Sequence, residues 1–346
     1  MNGIRVRVKL IMLLSLALII VPVLLVSNLR ETEIPFDKKN TIEIITPQPP
    51  SVSSVYYEDT TGFAHNVYVS GDYAYIGDEG SGMAVIDISD PTNPGTPIYM
   101  NTSIIAYGVF VSGDYVYIGD GSSGLAVIDI SDPTNPGTPD FESTLGNPQG
   151  VYVSGDNAFM GIGGSGLAVI DISDPTNPGL PVYEATLGSS HGVYVSGDYA
   201  YVGVGSSGLA IIDISDPTNP GVPVYEDTAG FAYDVFVSGD YAYVGDGSSG
   251  LAIIDVSDPT NPGTPIYKDT TGSAHGVYVS GFYAYVGAND SGLAVIDISD
   301  PTSPGTPFYE DTNGFAHGVY VNGGYAYVGD GDSGLAIIEI NYPIEP

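Results

Sequence analysis

The fold is decided by a repeated unit, whose fourth copy runs from Gly192 to Glu226. It contains four short runs of β-branched and aromatic residues, separated by Gly, Pro, Asn and Asp: Gly192-Val193-Tyr194-Val195-Ser196, Tyr199-Ala200-Tyr201-Val202, Leu209-Ala210-Ile211-Ile212-Asp213-Ile214 and Pro223-Val224-Tyr225-Glu226. Runs of this length, bounded in this way, predict β-strands, which we call strands A, B, C and D. Strand C is apolar on both faces, which is typical of a strand packed between two other sheets.

The unit recurs at a constant spacing of 42 residues. The glycine after strand A marks each copy: Gly71, Gly113, Gly155, Gly197, Gly239, Gly281 and Gly323. Seven copies account for residues 55–346. A period of about 40–45 residues with four strands is typical of a propeller blade. The sequence therefore predicts an all-β, seven-bladed β-propeller with four antiparallel strands in each blade.

The two ends of the repeat region predict that the ring closes on itself. The last copy stops after strand C, at Leu335–Ile340, and an additional strand D precedes the first copy at Val55–Glu58. Seven complete sheets are obtained only if this N-terminal strand completes the last blade. Such pairing removes the exposed sheet edges that an open stack of repeats would leave.

The first 27 residues are predicted to form a signal anchor or transmembrane helix. Three basic residues precede the apolar run Leu10–Val26, and no A-x-A-like cleavage site follows. A cleaved signal peptide is the alternative. Residues 28–54 are expected to be a flexible linker to the propeller at 55–346. The arrangement predicts a propeller outside the cell, either anchored to the membrane or secreted after cleavage.

Charge and cysteine content exclude several classes of protein. The chain has 41 acidic and 7 basic residues, a net charge of −34, which excludes a nucleic-acid-binding protein. The absence of cysteine excludes disulfide scaffolds, thiolate metal sites and Cys nucleophiles. Only Lys268 is basic within 55–346. The acidic surface suits high salt, and it equally suits attraction of cations or of a basic partner.

The strand C motif resembles that of the LVIVD-repeat family. It reads Leu-Ala-Val-Ile-Asp at 125–129, 167–171 and 293–297, and Leu-Ala-Ile-Ile-Asp at 209–213 and 251–255. Ala replaces the first Val of the family motif, and the resemblance extends over residues 55–346. It implies a β-propeller of bacterial and archaeal surface or secreted proteins, mostly without an assigned activity. The resemblance supplies no catalytic residues.

One repeat position, at the start of strand A, carries all four histidines of the chain. Its occupants are His65, Tyr107, Gln149, His191, Tyr233, His275 and His317. Because strand A should be innermost, we expect these side chains at the mouth of the axial channel, as a polar rim or a ligand-binding site. Ring closure would make His65, His275 and His317 neighbours. They could bind zinc if their nitrogens converge within about 4 Å.

A second variable position opens the loop between strands B and C. It is acidic in four copies, at Asp78, Asp120, Asp246 and Asp330, and apolar in three, at Ile162, Val204 and Ala288. The B–C loops share one face of the ring with the D–A loops. We expect the four aspartates to belong to a ligand-binding surface around the channel, with drift after duplication as the alternative.

A carboxylate ends strand C in every copy, and in six copies the loop Ser-Asp-Pro-Thr-Asn-Pro, or Ser-Asp-Pro-Thr-Ser-Pro at 299–304, follows it. Such carboxylates favour Asx turns with the backbone that follows. Calcium binding is the alternative, although the loop lacks the spacing and terminal Glu of an EF-hand.

Two classes of function remain open. The first is a membrane-anchored extracellular scaffold that binds a cell-surface protein or glycan without catalysis. The second is a hydrolase or lyase at the channel mouth, in which His65, His275 and His317 act, with or without a metal. No Walker loop, Gly-x-Ser-x-Gly elbow or His-Glu-x-x-His motif is present. The residues indicate no organic cofactor, and calcium and zinc are the two metals considered.

Overall fold

The structure is a computed structural model that describes residues 51–103 and 105–341. The described residues form seven four-stranded antiparallel sheets, the seven blades of a β-propeller. This confirms the predicted fold. The predicted signal anchor and most of the predicted linker lie outside the described residues. Within residues 51–103 and 105–341, no helix is long and apolar enough to cross a membrane.

Blades 1 to 6 take strands A to D from the channel outwards in chain order, and the strands are named β1 to β28 along the chain. Blades 1 to 3 consist of β2 Asn66–Ser70, β3 Tyr73–Gly77, β4 Met83–Asp87 and β5 Ile98–Met100; β6 Ala106–Ser112, β7 Tyr115–Asp120, β8 Leu125–Asp129 and β9 Asp140–Glu142; β10 Gly150–Ser154, β11 Asn157–Gly161, β12 Leu167–Asp171 and β13 Val182–Glu184. A short 3-10 helix, Gly121–Ser123, lies in the B–C loop of blade 2.

Blades 4 to 6 repeat the same order. Their strands are β14 Val193–Ser196, β15 Tyr199–Gly203, β16 Leu209–Asp213 and β17 Val224–Glu226; β18 Asp234–Ser238, β19 Tyr241–Gly245, β20 Leu251–Asp255 and β21 Ile266–Lys268; β22 Val277–Ser280, β23 Tyr283–Gly287, β24 Leu293–Asp297 and β25 Phe308–Glu310. Blade 7 contains β26 Val319–Asn322, β27 Tyr325–Gly329 and β28 Leu335–Asn341, with β1 Ser51–Glu58 at its outer edge.

The N-terminal strand closes the ring, as the strand count predicts. β1 pairs antiparallel with β28, with Val55 opposite Ile338 and Glu58 opposite Leu335. The strand starts at Ser51, four residues before the expected boundary, because its first residues extend the ladder opposite Asn341. The last four residues of the predicted linker therefore belong to the propeller sheet.

Strand C is buried on both faces, which confirms its interpretation as a strand between two sheets. In blade 5, Leu251 and Ile253 pack against blade 6, whereas Ala252 and Ile254 pack against blade 4. All four are fully buried. Each large apolar side chain buried in this way contributes about 1.5–3 kcal/mol. The same contacts recur around the ring, so the core is a series of equivalent interfaces between blades.

Two glycine positions in the repeat have different reasons to be invariant. A side chain at Gly245 would overlap the carbonyl oxygen of His275, because the backbone of the next blade crosses there. Gly250 has a φ of +77°, which favours glycine. Glycine at the first position lets the backbone at the start of strand A, as at His275, pack against the preceding blade. This contact fixes where the residues at the channel mouth lie.

The carboxylates at the end of strand C form turns. Asp87 Oδ1 accepts a hydrogen bond from the backbone N–H of Ser89 at 2.9 Å, and hydrogen bonds from Ser89 hold the pKa of Asp87 below its ordinary value. Asp90 Oδ1 in turn accepts the N–H and hydroxyl of Thr92. These contacts confirm the Asx-turn interpretation of the loop.

Candidate functional site

A cavity of about 300 Å³ lies at the centre of the ring, where the seven A strands meet. All seven residues predicted at the channel mouth line it: His65, Tyr107, Gln149, His191, Tyr233, His275 and His317. We call this set the rim. The repeat position was identified from the sequence, and the structure brings its seven members together.

The rim is held by contacts between the side chains of successive blades. Tyr233 stacks on His275, with ring centroids 4.2 Å apart and planes 16° from parallel. His275 meets His317 edge to face at 4.6 Å, His317 meets His65 at 5.2 Å, and His65 meets Tyr107 at 4.9 Å. Such aromatic pairs add about 0.5–1.5 kcal/mol each. His191 of blade 4 also meets Tyr233 edge to face at 5.7 Å, so ring contacts join six of the seven blades at the channel mouth.

The three neighbouring histidines do not converge on a metal site. Within the described residues, no group of three or more His, Asp or Glu side chains is arranged to hold a metal ion. His65, His275 and His317 pack ring against ring, and Nε2 of His65 lies 2.9 Å from Glu79 Oε1 instead. The geometry therefore gives no support to the zinc expectation, and the described acidic loops give none to calcium.

The buried histidines of the rim are neutral near pH 7. Burial, together with the neighbouring histidines, lowers the pKa of His275 to about 4 and that of His317 to about 3. Burial also lowers the pKa of His191. A neutral imidazole has one donor and one acceptor nitrogen. These side chains consequently offer hydrogen bonds, and not positive charge, to a ligand.

His191 has an unsatisfied nitrogen at the rim. Its Nδ1 lies 2.7 Å from Gln149 Oε1, and because an amide oxygen only accepts, Nδ1 carries the proton. Nε2 is then an acceptor, and it is buried near Phe231 without a hydrogen-bond partner among the described residues. A buried unpaired acceptor costs about 1–3 kcal/mol. The rim therefore has hydrogen-bonding capacity that the protein itself leaves unused.

The four loop aspartates do not lie on the rim, and this part of the site prediction was wrong. Asp246 is fully buried beneath the D–A loop, where its Oδ1 accepts the Thr228 hydroxyl at 2.6 Å and its Oδ2 accepts the Gly230 N–H at 2.8 Å. Asp78, Asp120 and Asp330 are buried in the same way under their own loops. Burial raises the pKa of Asp246, and these hydrogen bonds partly oppose that rise.

Copies without the aspartate satisfy the same threonine differently. Val204 takes the aspartate position in blade 4, and the Thr186 hydroxyl donates to the Gly188 carbonyl, with Oγ1 and O 3.1 Å apart. In blade 6 the buried Ala288 takes the aspartate position, and the Thr270 hydroxyl likewise donates to a carbonyl of its own loop. The alternation of acidic and apolar residues therefore belongs to the interior and does not make the surface lopsided.

A second ring of side chains, which the sequence analysis missed, lies deeper in the cavity. It consists of the residues three positions after the rim: Tyr68, Phe110, Tyr152, Tyr194, Phe236, Tyr278 and Tyr320. Successive ring centroids are 4.7–5.0 Å apart, and the series closes between Tyr320 and Tyr68 at 4.8 Å. An aromatic residue at one position in all seven copies was the signal that could have revealed it.

The angles within this aromatic ring show how it is built. Neighbouring planes differ by 47–55°, close to the rotation of about 51° between blades of a seven-fold ring, so the planes stand parallel to the channel axis. Rings so close together cannot lie edge to edge, so each turns a face to its neighbour and an edge to the axis. The Tyr320 hydroxyl hydrogen-bonds with those of Tyr68 and Tyr278. Burial raises the pKa of Tyr320, which keeps it neutral.

Between the rim and the aromatic ring, two copies depart from glycine. The position after the rim is Gly in five copies, Asn66 in blade 1 and Asp234 in blade 5. Asp234 Oδ2 accepts the Val277 N–H of blade 6 at 3.1 Å, and burial raises the pKa of Asp234 to about 6. It is the one acidic side chain among the described residues that line the cavity.

Comparison with known proteins identifies the repeats. The family model described as LVIVD repeat matches seven times, at residues 61–102, 105–138, 145–183, 187–224, 229–266, 271–312 and 313–346. None of the curated proteins matches the chain.

Solved structures similar to this one are propellers of low sequence identity. The WD40 repeats of RRP9 align with a TM-score of 0.68 at 10% identity, covering 86% of this chain and 100% of that one. The propeller domain of Cps50 (Swd1) from Myceliophteria thermophila gives 0.65 at 12%, covering 85% and 100%. BamB from Moraxella catarrhalis gives 0.56 at 14%, covering 86% and 99%. These likenesses show the fold alone. The seven matches to its repeat, together with the seven-bladed ring, show that the chain belongs to the LVIVD-repeat family.

Proposed function

We propose that this protein is a membrane-anchored extracellular β-propeller that binds a cell-surface protein or glycan at its channel mouth, without catalysis. The observation that carries the proposal is the chemistry of the rim. Residues 55–346 contain 37 acidic side chains, yet the seven rim positions hold only aromatic rings, imidazoles and an amide. A concave site with apolar walls and a few fixed polar groups is typical of a ligand-binding site.

The surface around the rim supports contact with a large partner. Leu145 and Leu187 occupy the same position in the D–A loops of neighbouring blades 3 and 4, and they are 74% and 76% exposed. Phe315 is exposed in the D–A loop of blade 7. These loops share the face of the ring on which the rim opens. Exposed apolar side chains beside a partly polar cavity suit a protein interface, and aromatic rings equally suit the apolar face of a sugar.

The binding proposal is tested with glycan arrays and with capture of cell-surface proteins by the purified protein. Tyr233→Ala removes a rim ring that stacks on His275, and we expect it to weaken binding at least tenfold. Phe282→Ala is the matched control, because Phe282 is 69% exposed in an A–B turn on the opposite face. Equal loss in both variants, or no binding in either assay, would contradict the proposal. Turnover of a hydrolase or lyase substrate that His275→Ala abolishes would replace it.

The location of the protein is tested separately. The proposal of an outer-surface anchor rests on the basic residues and apolar run of the first 26 residues. We expect the full chain in the membrane fraction, and its propeller to be digested when protease is added to intact cells. Propeller that remains protected until the cells are broken would contradict an extracellular location, and propeller found in the medium would favour cleavage.

A further inference from the structure

Among the residues that the structure describes, a single carboxylate lines the cavity below the rim, and none of them gives it a positive partner. Asp234 lies at a position where five of the other six blades have glycine, so its side chain projects where they have none. Its oxygens accept the backbone N–H groups of Val277 and Val235. Within the described residues it makes no ion pair. The one basic residue of 55–346, Lys268, lies on the outermost strand of the same blade.

An ionised carboxylate surrounded by protein is costly unless a cation compensates it. The hydrogen bonds from Val277 and Val235 compensate Asp234 in part, and burial nevertheless raises its pKa. A ligand that brings a positive charge to this point would remove the remaining cost. Asp234 thus differs from Asp246, which is enclosed under a loop and receives a hydroxyl and a backbone N–H there.

The other polar groups of the cavity are rich in acceptors. The Tyr320 hydroxyl hydrogen-bonds with those of Tyr68 and Tyr278, and these hydroxyls keep lone pairs for an incoming donor. The neutral rings of His275 and His317 each add an acceptor nitrogen. A primary ammonium group has three donors and no acceptor, so it matches an excess of acceptors next to one negative charge.

The opening favours a slender ligand. Ring contacts join Tyr233, His275, His317, His65 and Tyr107 around most of the rim, which narrows the entrance. The four-carbon stem of lysine is unbranched and packs well along apolar surface while its ammonium group extends beyond. An amino-sugar ring is broader. The position of Asp234, one residue below the rim, suits a group carried on such a stem.

We propose that the axial cavity binds the side chain of a lysine from a partner protein, with Asp234 as the counter-ion of its ammonium group. This inference rests on the proposed binding function and names the group that the channel mouth recognises. The charge of the whole domain supports it, since 37 acids against one base attract a basic segment and accelerate its encounter with the cavity.

The test measures binding of blocked tripeptides to the full chain by calorimetry at low salt. Acetyl-Gly-Lys-Gly-amide is compared with its norleucine counterpart, which keeps the stem and lacks the ammonium group. Asp234→Asn removes the charge from the cavity. Asp227→Asn is the matched control, because it removes an equal charge from an exposed loop of the same blade. We expect one site, at least tenfold weaker binding in Asp234→Asn, and less than a twofold change in Asp227→Asn.

A second readout does not depend on the variant being folded. In the unmutated protein, the carboxyl carbon signal of Asp234 reports its titration, and the lysine peptide should lower the pKa that it shows. Equal affinity for the norleucine peptide, equal losses in both variants, or an unmoved Asp234 titration would each overturn the inference. The inference would also be overturned if glucosamine, or the same tripeptide with arginine in place of lysine, bound more tightly than the lysine peptide. If a protein or glycan still binds in a Tyr233-dependent way, the proposed function stands without the lysine site.

Discussion

Ser53 donates a hydrogen bond to Glu339, from Oγ to Oε2 over 2.6 Å, and joins residues 286 positions apart at the seam of the ring. Glu339 is the one copy in which the carboxylate at the end of strand C is not Asp. In the other copies the shorter side chain forms a turn with the loop that follows, as Asp87 does with Ser89. The last copy has no such loop, and its longer side chain reaches the N-terminal strand instead.

The seam is expected to carry much of the stability of the ring. Val55 packs in the core between blades 6 and 7, so Val55→Asp places an unpaired carboxylate in that core. We expect the free energy of unfolding to fall by about 2–5 kcal/mol in urea denaturation. Ser51→Asp, an exposed position on the same strand, is the control and should change it by less than about 0.5 kcal/mol. Equal effects would show that the strand does not hold the ring closed.

The buried loop aspartates should make their threonines essential, whereas the same threonine should matter less where the aspartate is missing. Thr228→Val deprives the Asp246 carboxylate of a hydrogen bond, and we expect a loss of about 1–3 kcal/mol. Thr270→Val removes a bond to the Gly272 carbonyl in blade 6, where Ala288 replaces the aspartate, and should cost about 1 kcal/mol or less. Denaturation of both variants measures the difference, and equal losses would contradict the structural role assigned to Asp246.

Asp234 is expected to make the propeller less stable as the pH rises. Its pKa is raised from 3.8 to about 6 in the folded protein, so the folded state binds its proton more tightly than the unfolded chain does. The contribution of protonated Asp234 to the free energy of unfolding is fully present below about pH 4 and is lost as the pH rises through 6. Asp234→Asn should therefore increase the free energy of unfolding at pH 7.5 by about 3 kcal/mol at most, with no gain at pH 3.5. A gain that is independent of pH would contradict this assignment.

His317 is expected to make the propeller less stable as the pH falls, which is the opposite of the effect of Asp234. Its pKa is lowered from 6.5 to about 3, so the unfolded chain binds its proton more tightly than the folded protein does. The contribution of His317 to the free energy of unfolding is fully present above about pH 6.5 and is lost as the pH falls toward 3. His317→Gln keeps a polar side chain that does not titrate, and should move the acid-unfolding midpoint to lower pH. Circular dichroism as a function of pH checks this, and an unchanged midpoint would contradict it.

The aromatic ring below the rim should behave as one structural unit. Tyr320→Ala removes contacts to Tyr68 and Tyr278, each worth about 0.5–1.5 kcal/mol, and opens the ring to solvent. We expect a loss of more than about 2 kcal/mol in thermal or urea unfolding, allowing for the lost burial of the ring. Tyr320→Phe removes only the hydroxyl and should cost about 1 kcal/mol. A Tyr320→Ala variant as stable as Tyr320→Phe would show that the ring contacts carry little energy.

The fold could be predicted because its determinants are local and repeated. The apolar residues of strand C, such as Leu251 and Ile254, indicate that the strand is buried on both faces. Gly and Pro residues at constant spacing mark the ends of the strands. Ring closure followed from the incomplete copies at the two ends. The rim was found because one repeat position alternates among His, Tyr and Gln. The aromatic ring was equally visible in the sequence and was overlooked because Tyr and Phe there resemble ordinary core residues.

The sequence by itself determined the number of blades, the order of their strands and the seam, because strand propensity and turn chemistry act over a few residues and were repeated seven times. Only the tertiary structure decided which polar side chains enter the cavity. Asp246 and Asp234 are the same residue type in the same blade, yet a loop folds over the first, and the second projects between neighbouring inner strands into the channel. That difference depends on where adjacent blades approach each other, and a short stretch of sequence does not specify this packing.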